Sequence, residues 1–252
     1  MLADDLLELL GERVPADHTR QVVAEWYVGE WYRRLRHRSG PARVLDLGCG
    51  AGDSVDVFRR FDPDVRWVGL DLQTSPEVAS RTRSDAEFAT FEGARIPFGD
   101  GEFELVFCKQ VLEHVRRPEP LMREVMRVLE LGGHLAGSTS QLEPYHSLSV
   151  GNFTPYGLAL LLQDAGLEPV EFRPNIDGLT LVVQRGMGMH RFFYRWWARE
   201  SPLNRFIGLF GRVARLDRRS VNAIKLLLCG QFCFLARRPQ ASGSRPDQEI
   251  VP

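Results

Sequence analysis

The chain of 252 residues has little cysteine, no long apolar run and almost no net charge. Its four cysteines, Cys49, Cys108, Cys229 and Cys233, form no pair of CxxC elements, which excludes a zinc ribbon or a thioredoxin-like redox site. Cys229 and Cys233 are spaced to meet on one helix turn. Their apolar neighbours and the want of two further ligands speak against a metal there, so reduced, buried thiols and no bound metal are expected. The longest apolar stretches, such as Ala223 to Ala236, are broken by Lys225, Gly230 and Gln231, well short of the roughly eighteen residues of a membrane-spanning helix. At the N-terminus Asp4, Asp5 and Glu8 stand where a secretory leader would be basic, so the expected location is the cytoplasm. No internal repeat is visible. What is present, 44% hydrophobic and 26% charged residues, suits one globular domain with a sizeable core.

The net charge of −1 conceals an asymmetry. Residues 1 to 184 hold 19 basic and 29 acidic side chains, whereas residues 185 to 238 hold 12 basic ones against only Glu200 and Asp217. The second segment suits an anionic partner, an anionic membrane surface or the acidic part of its own chain, and these alternatives stay open.

Hydrophobic periodicity divides the chain. Residues 1–40 read as a helical cap, with Leu2, Leu6, Leu7, Leu9 and Leu10 at helix-face spacing, a break at Gly11, and a second periodic stretch from Val22 to Leu35. From Arg43 the pattern becomes short apolar runs, VLDL, VRWVGLD and FELVFCK, with helical segments at 53–61, 76–84 and 118–130. This alternation predicts a doubly wound α/β domain over 41–178 with a mainly parallel sheet. Gly132-Gly133 is expected to stop the last of those helices, with HLAGSTS as the next strand. A helix follows from Thr154-Pro155 to Asp164, then a strand from Leu167 to Phe172. Residues 179–229, rich in aromatics and arginine, read as a helical insertion. GQFCFLAR, within 230–238, is the final core strand, and 239–252 is expected to be a disordered tail.

The chemistry concentrates where the first strand ends, in Asp46-Leu47-Gly48-Cys49-Gly50-Ala51-Gly52. Glycines at alternate positions permit a sharp turn and a close approach of backbone N–H groups to a ligand at the start of the next helix. A dinucleotide fingerprint would place Gly or Ala where this chain has Asp53. Asp46 would repel a pyrophosphate but pair with an ammonium group. The methionine moiety of S-adenosylmethionine, with an ammonium and a carboxylate, suits both features.

Four elements in order, VLDLGCGAGD, VGLD, ARIPF and FELVFCKQVLEHV, resemble the class I S-adenosylmethionine-dependent methyltransferases over about residues 42 to 175. The resemblance implies a Rossmann-like sheet of seven strands with the last pair antiparallel, flanked here by the N-terminal helical cap and the C-terminal helical insertion. It implies that S-adenosylmethionine is the cofactor, bound by Asp46, Gly48, Cys49, Gly50 and Gly52, by Asp71 with Leu72 at the ribose, and by Glu92, Gly93 and Ala94 along the adenine. Lys109 and Gln110, at the end of the fourth strand, are expected to line the reaction centre. Relatives usually have Gly-Asp-Ala where this chain has Glu92-Gly93-Ala94.

An aligned methyl transfer needs little more than positioning and one base. His146 is the first candidate base, within the polar loop Gln141 to Tyr156, where Glu143, Tyr145, Asn152 and Tyr156 suit an acceptor pocket. His114 is the second. The Asn/Asp-Pro-Pro-aromatic tetrad of exocyclic-nitrogen methyltransferases is absent. The expected reaction is therefore O-methylation of a small molecule, such as a sugar or secondary metabolite, including phosphorylated or lipid-linked ones. His190 to Arg199 reads as a helix with Arg191, Arg195 and Arg199 on one face, suited to peripheral membrane contact, to an anionic acceptor or to packing on the core. Two rivals are an RNA methyltransferase docking through the basic insertion, although no RNA module accompanies it, and a non-catalytic membrane-associated scaffold.

Overall fold

The computed structural model describes residues 3–93, 95–144 and 148–240. Strands β1 (Arg43–Leu47), β2 (Arg66–Leu72), β3 (Glu87–Phe91), β4 (Phe103–Lys109), β5 (Leu129–Ser140), β6 (Glu168–Pro174) and β7 (Gln231–Arg237) form one sheet. Their order is β3-β2-β1-β4-β5-β7-β6. β7 runs antiparallel to both of its neighbours, and the remaining pairs are parallel. This is the seven-stranded, Rossmann-like sheet expected. β1, β4 and β7 are buried almost throughout, so each reads as a continuous apolar run.

Helices α1 (Asp4–Leu10), α5 (Pro118–Val128), α6 (Pro155–Asp164) and α10 (Arg218–Leu228) cover one face of the sheet, meeting Leu45, Leu47, Val106 and Phe234 in one core. α2 (Ala24–Glu30), the π turn Trp31–Leu35 that continues it, and α3 (Ser54–Arg59) cover the other, packing Tyr27, Trp31 and Phe58 on Val44, Leu105 and Phe107. α5 shows why a helix lies there: Leu121, Met122, Val125 and Val128 share one buried side, while Pro118 opens its first turn. α6 starts at Thr154, whose hydroxyl accepts the Gly157 N–H at 3.0 Å.

Several local expectations are corrected. β3 is among the seven strands expected but no stretch of sequence marks its place, because at the sheet edge Glu87–Phe91 is only half-buried and lacks a solid apolar run. The helix expected at 76–84 is the single turn α4 (Pro76–Ala79). Gly132 and Gly133 do not end α5. They lie inside β5, where the pairing with β4 shifts register between Phe103 and Leu105 and Gly132 takes φ +78°. Cys229 follows the end of α10 and Cys233 lies in β7, so the two do not share a helix turn; all four thiols are free and buried.

Between β6 and β7 come α7 (Gly178–Gly186), α8 (Arg195–Ala198), α9 (Pro202–Val213) and α10. The continuous helix read at His190 to Arg199 is instead a 3-10 turn, Arg191–Tyr194, followed by the one-turn α8, with Arg199 already extended. Arg191, Arg195 and Arg199 therefore share no α-helical face. Part of the basic charge is spent within the chain. Arg219 pairs with Glu12, Arg218 donates to the Asp17 carbonyl, and Lys225 bonds the Thr19 carbonyl and Glu200. Residues 241–252, most of the expected tail, lie outside the described residues, as does Leu2. Among the described residues no helix is long and apolar enough to cross a membrane.

Candidate functional site

The sheet's strand order reverses between β1 and β4, and in open α/β sheets a crevice forms beyond the carboxyl ends of the strands at such a point. The glycine loop sits there. Gly48, Gly50 and Gly52 all have positive φ, at +71°, +52° and +86°. Two of them are also required by packing: a Cβ on Gly48 would lie 2.3 Å from a Val111 methyl, and one on Gly52 would lie 2.7 Å from the Phe88 ring. The loop is tied to β2 by the Gly48 N–H on the Leu70 carbonyl at 2.7 Å.

Asp46, at 3% exposure, faces α3 and accepts a hydrogen bond from the Ser54 hydroxyl, which also accepts the Trp67 indole N–H. Burial pushes its carboxyl up to about 7, against the pull of the Ser54 bond and the nearby Lys109 ammonium. Asp71, at the tip of β2, accepts the Gly50 N–H at 2.7 Å and the Leu72 N–H at 2.7 Å. Leu72 is exposed beside Gly93, and Glu92 is exposed; Ala94 lies outside the described residues. Cys49 is buried, its thiol pushed up to about 12 by desolvation, so it stays protonated. Arg81, which sequence reading passed over, donates to the Gly50 carbonyl at 2.6 Å while its guanidinium lies 3.8 Å from the Phe88 ring centre.

On the other side of the crevice, Lys109 ends β4 and pairs with Glu25 of α2, bringing the N-terminal cap to the sheet edge. Gln110 takes φ +54°, rare for a residue with a side chain, and its amide reaches the Ser138 hydroxyl at 3.2 Å. Beside it lies a buried polar cluster. The Ser140 hydroxyl has Glu143 Oε2 at 2.7 Å, Glu113 Oε1 at 3.2 Å and Gln110 Oε1 at 3.3 Å around it. Thr139 donates to Glu113 at 3.0 Å, and Gln231 of β7 donates to Glu143 at 2.6 Å. One hydroxyl proton serves only one of three acceptors. Burial raises the Glu113 carboxyl above its ordinary range, against the pull of the Thr139 and Ser140 hydroxyls that donate to it. A hydrogen-bonded path thus joins fully buried Glu113 to half-buried Glu143.

A family profile described as a methyltransferase domain matches residues 45–137. The ubiquinone biosynthesis O-methyltransferase of Acinetobacter baylyi is 30% identical over 168 residues, covering 61% of this chain and 70% of that one. The chain belongs to the class I S-adenosylmethionine-dependent methyltransferases. Two solved structures share the fold of this methyltransferase. A sarcosine dimethylglycine methyltransferase assigned in Galdieria sulphuraria has a TM-score of 0.54 at 12% identity, covering 94% of this chain and 98% of that one. Phosphoethanolamine N-methyltransferase 2 of Haemonchus contortus, in complex with S-adenosyl-L-methionine, has a TM-score of 0.53 at 14% identity, covering 95% and 60%.

The cofactor of this methyltransferase is S-adenosylmethionine, and the residues at the crevice fit it. Asp46 is a buried carboxyl with one side-chain donor, the Ser54 hydroxyl, and no cation within salt-bridge distance among the described residues. Asp71 stands at the strand tip with carboxylate oxygens bonded only to backbone N–H groups among the described residues.

Of the residues expected to line an acceptor pocket, Glu143 joins the Ser140 cluster, Asn152 donates to the Glu143 carbonyl at 3.2 Å, and Tyr156 is exposed on the first turn of α6. His114 ends the 3-10 turn Leu112–His114, half-buried. Tyr145 and His146 lie outside the described residues. Glu113 stood beside His114 in the VLEH stretch. Its burial was the signal missed, since a carboxylate with Lys109, Arg116 and Arg117 close to it in sequence reads as a solvated one and gives no hint of Thr139 and Ser140. Among the described residues no cluster of three or more His, Cys, Asp or Glu could hold a metal ion.

Proposed function

We propose that the protein methylates an oxygen of a small-molecule acceptor at the sheet edge between the glycine loop and the Ser140 cluster. When bound, S-adenosylmethionine supplies an electrophilic methyl group on a positively charged sulfur. Asp46 and the loop residues Gly48, Cys49, Gly50 and Gly52 hold its amino-acid end, the ionised Asp46 carboxylate facing the ammonium. Asp71, whose oxygens keep further lone pairs beyond the Gly50 and Leu72 N–H groups, would take the ribose hydroxyls. Leu72, Glu92, Gly93 and Ala94 border the adenine, and Lys109 and Gln110 border the methyl group.

The observation that carries the reading is the convergence of the buried Asp46 carboxyl, the Asp71 strand tip and the Glu143–Ser140–Glu113 path on one edge. Glu143 accepts the proton that the acceptor hydroxyl loses, and Ser140 and Gln231 keep its carboxylate aimed. His146 is the alternative base on the same loop. The kinship with an enzyme named as an O-methyltransferase supports oxygen as the attacked atom. Support for the acceptor class, a hydroxylated metabolite or sugar, phosphorylated and lipid-linked ones included, comes from the polar residues Glu143, Asn152 and Tyr156 of the loop.

The test is methyl transfer from S-adenosylmethionine to pools of hydroxylated metabolites and lipid precursors, read by product mass, together with calorimetry of cofactor binding. Binding by the wild type, lost in Asp71→Ala, supports the assignment. A wild type that leaves the cofactor unbound, or an Asp71→Ala variant that binds it equally well, overturns it.

A further inference from the structure

Helices α7 and α9 pack against each other, and although each buries an apolar residue, Leu181 and Ile207, both also carry an apolar outer side. On α7 the polar residues Thr180 and Gln184 are buried, while Leu179, Val182 and Val183 stand in solvent, Leu179 at 60% exposure. On α9 Asn204 is buried together with Ile207, while Phe206, Leu209, Phe210 and Val213 form one outer stripe at helix-face spacing. Phe206 is 65% and Val213 76% exposed. A helix packed on a core in water turns a polar side outward, so two adjacent helices that bury polar side chains and expose apolar ones present a surface made for something other than water.

The charge around this surface says what it is made for. Arg205 and Arg212 stand on α9 beside the stripe, with Arg185 near the end of α7 and Arg215 just beyond α9. Among the described residues no carboxylate lies within salt-bridge distance of any of the four, whereas Arg219 and Lys225 on the next helix are paired. From Gly178 to Leu216 the chain holds a single acidic residue, Glu200, and Lys225 and the Gln21 N–H already occupy it. A second copy of this chain would bring the same arginines face to face about a two-fold axis with no carboxylate between them. A bilayer with anionic headgroups offers apolar depth under the stripe and phosphates at its rim.

We propose that the joint outer face of α7 and α9 docks the protein on an anionic lipid bilayer, the apolar stripe entering the acyl boundary and the arginines resting on lipid phosphates. The surface adjoins the candidate acceptor site. Gly178, at the start of α7, sits so close to Leu142 that a Cβ there would lie 2.9 Å from the Leu142 Cβ, and Leu142 is itself exposed next to Glu143. Delivery of an acceptor from the bilayer to that edge rests on the methyltransferase reading; docking itself does not.

The experiment is sedimentation of the full chain with vesicles of phosphatidylcholine alone and of phosphatidylcholine mixed with phosphatidylglycerol, at low and high salt. Binding is expected to the mixed vesicles and to weaken with salt. Each arginine near an anionic surface is worth about fivefold in binding, so Arg205→Gln/Arg212→Gln is expected to bind about twenty-five-fold more weakly. Phe206→Ser/Phe210→Ser, which changes only exposed side chains, tests the apolar stripe. Calorimetry with S-adenosylmethionine on the same samples should give the wild-type affinity for both double variants, which certifies their fold. A wild type that stays in the supernatant with mixed vesicles overturns the proposal. So do variants that sediment like the wild type, or light scattering that shows a dimer dissolved by Phe206→Ser/Phe210→Ser. Vesicle binding by a protein that leaves S-adenosylmethionine unbound would uphold docking and remove the catalytic reading instead.

Discussion

Asp46 is the side chain whose protonation connects the fold to the cofactor. Its folded carboxyl, pushed to about 7 by burial, holds a proton that an unfolded chain has released above about pH 4. Its contribution to stability is therefore complete below pH 4 and is lost as the pH rises through 7. Binding a cation has the opposite sign, because it needs the ionised carboxylate. Between pH 6 and pH 8 the ionised fraction of a group titrating near 7 rises about tenfold, so S-adenosylmethionine should bind about tenfold more tightly at pH 8. Calorimetry across that range checks this, and Asp46→Asn should bind weakly with a flat profile. An equally steep profile in Asp46→Asn would assign the titration to another group. Glu143 calls for a different measurement, since it is placed to move a proton rather than to hold the cofactor. Glu143→Gln should leave cofactor affinity unchanged and lower kcat by about 10²- to 10⁴-fold, the usual worth of a positioned base. A variant with wild-type kcat would shift that role to His146.

At the scale of the element, the central strands are set by how closely their backbones approach. A Cβ on Gly137 of β5 would fall 1.7 Å from the Cys108 carbonyl oxygen of β4, a clash that no rotamer relieves because both parties are backbone. Gly137→Ala should cost on the order of 3 kcal/mol, about 6–12 °C in Tm for a chain of this size, and lower the soluble yield. Gly186→Ala, near the end of α7 with open space around it, should melt with the wild type. Thermal melts of the pair decide whether strand approach or glycine entropy governs. The elements also show what was legible in the sequence. β1, β2 and β4 announced themselves as apolar runs, and the glycine loop as alternate glycines after an aspartate, because those features are local. β3 did not, since an edge strand half in solvent needs no apolar run. Gly132-Gly133 looked like a helix stop because glycine marks a strand irregularity and a helix end equally well in sequence. The Glu113–Ser140–Glu143 cluster was hidden for a topological reason. Gln231, which completes it, lies 88 residues from Glu143 and reaches it only because β7 inserts between β5 and β6.

Across the whole molecule, the N-terminal segment acts as a strap that joins the helices inserted between β6 and β7 to the cofactor side of the sheet. Gln21 sits at its middle, with its amide accepting from the Ser201 N–H at 2.8 Å and from Asn204 at 2.9 Å while donating to the Trp196 carbonyl at 2.7 Å. Arg173 of β6 binds Asp17 and Glu171 and lies 4.5 Å from the Trp26 ring centre. Lys225 is buried, with its ammonium on the Thr19 carbonyl and on Glu200. Four residues beyond Gln21, in α2, Glu25 pairs with Lys109 at the end of β4. Lys225→Met would keep the volume and strand a half-buried carboxylate, at a cost of about 3 kcal/mol, the lower end for breaking a buried pair. The loss should be felt beyond Tm. Hydrogen exchange should quicken along residues 14–31, and S-adenosylmethionine binding should weaken severalfold although Lys225 lies far along the chain from every crevice residue. Lys225→Met/Glu200→Gln removes the stranded charge, so it should recover much of the stability. If exchange in residues 14–31 stays at the wild-type rate in Lys225→Met, the strap is held by its other bonds, those of Gln21, Arg173, Arg218 and Asn222 among them, and the Lys225 pair does not couple the inserted helices to the cofactor crevice.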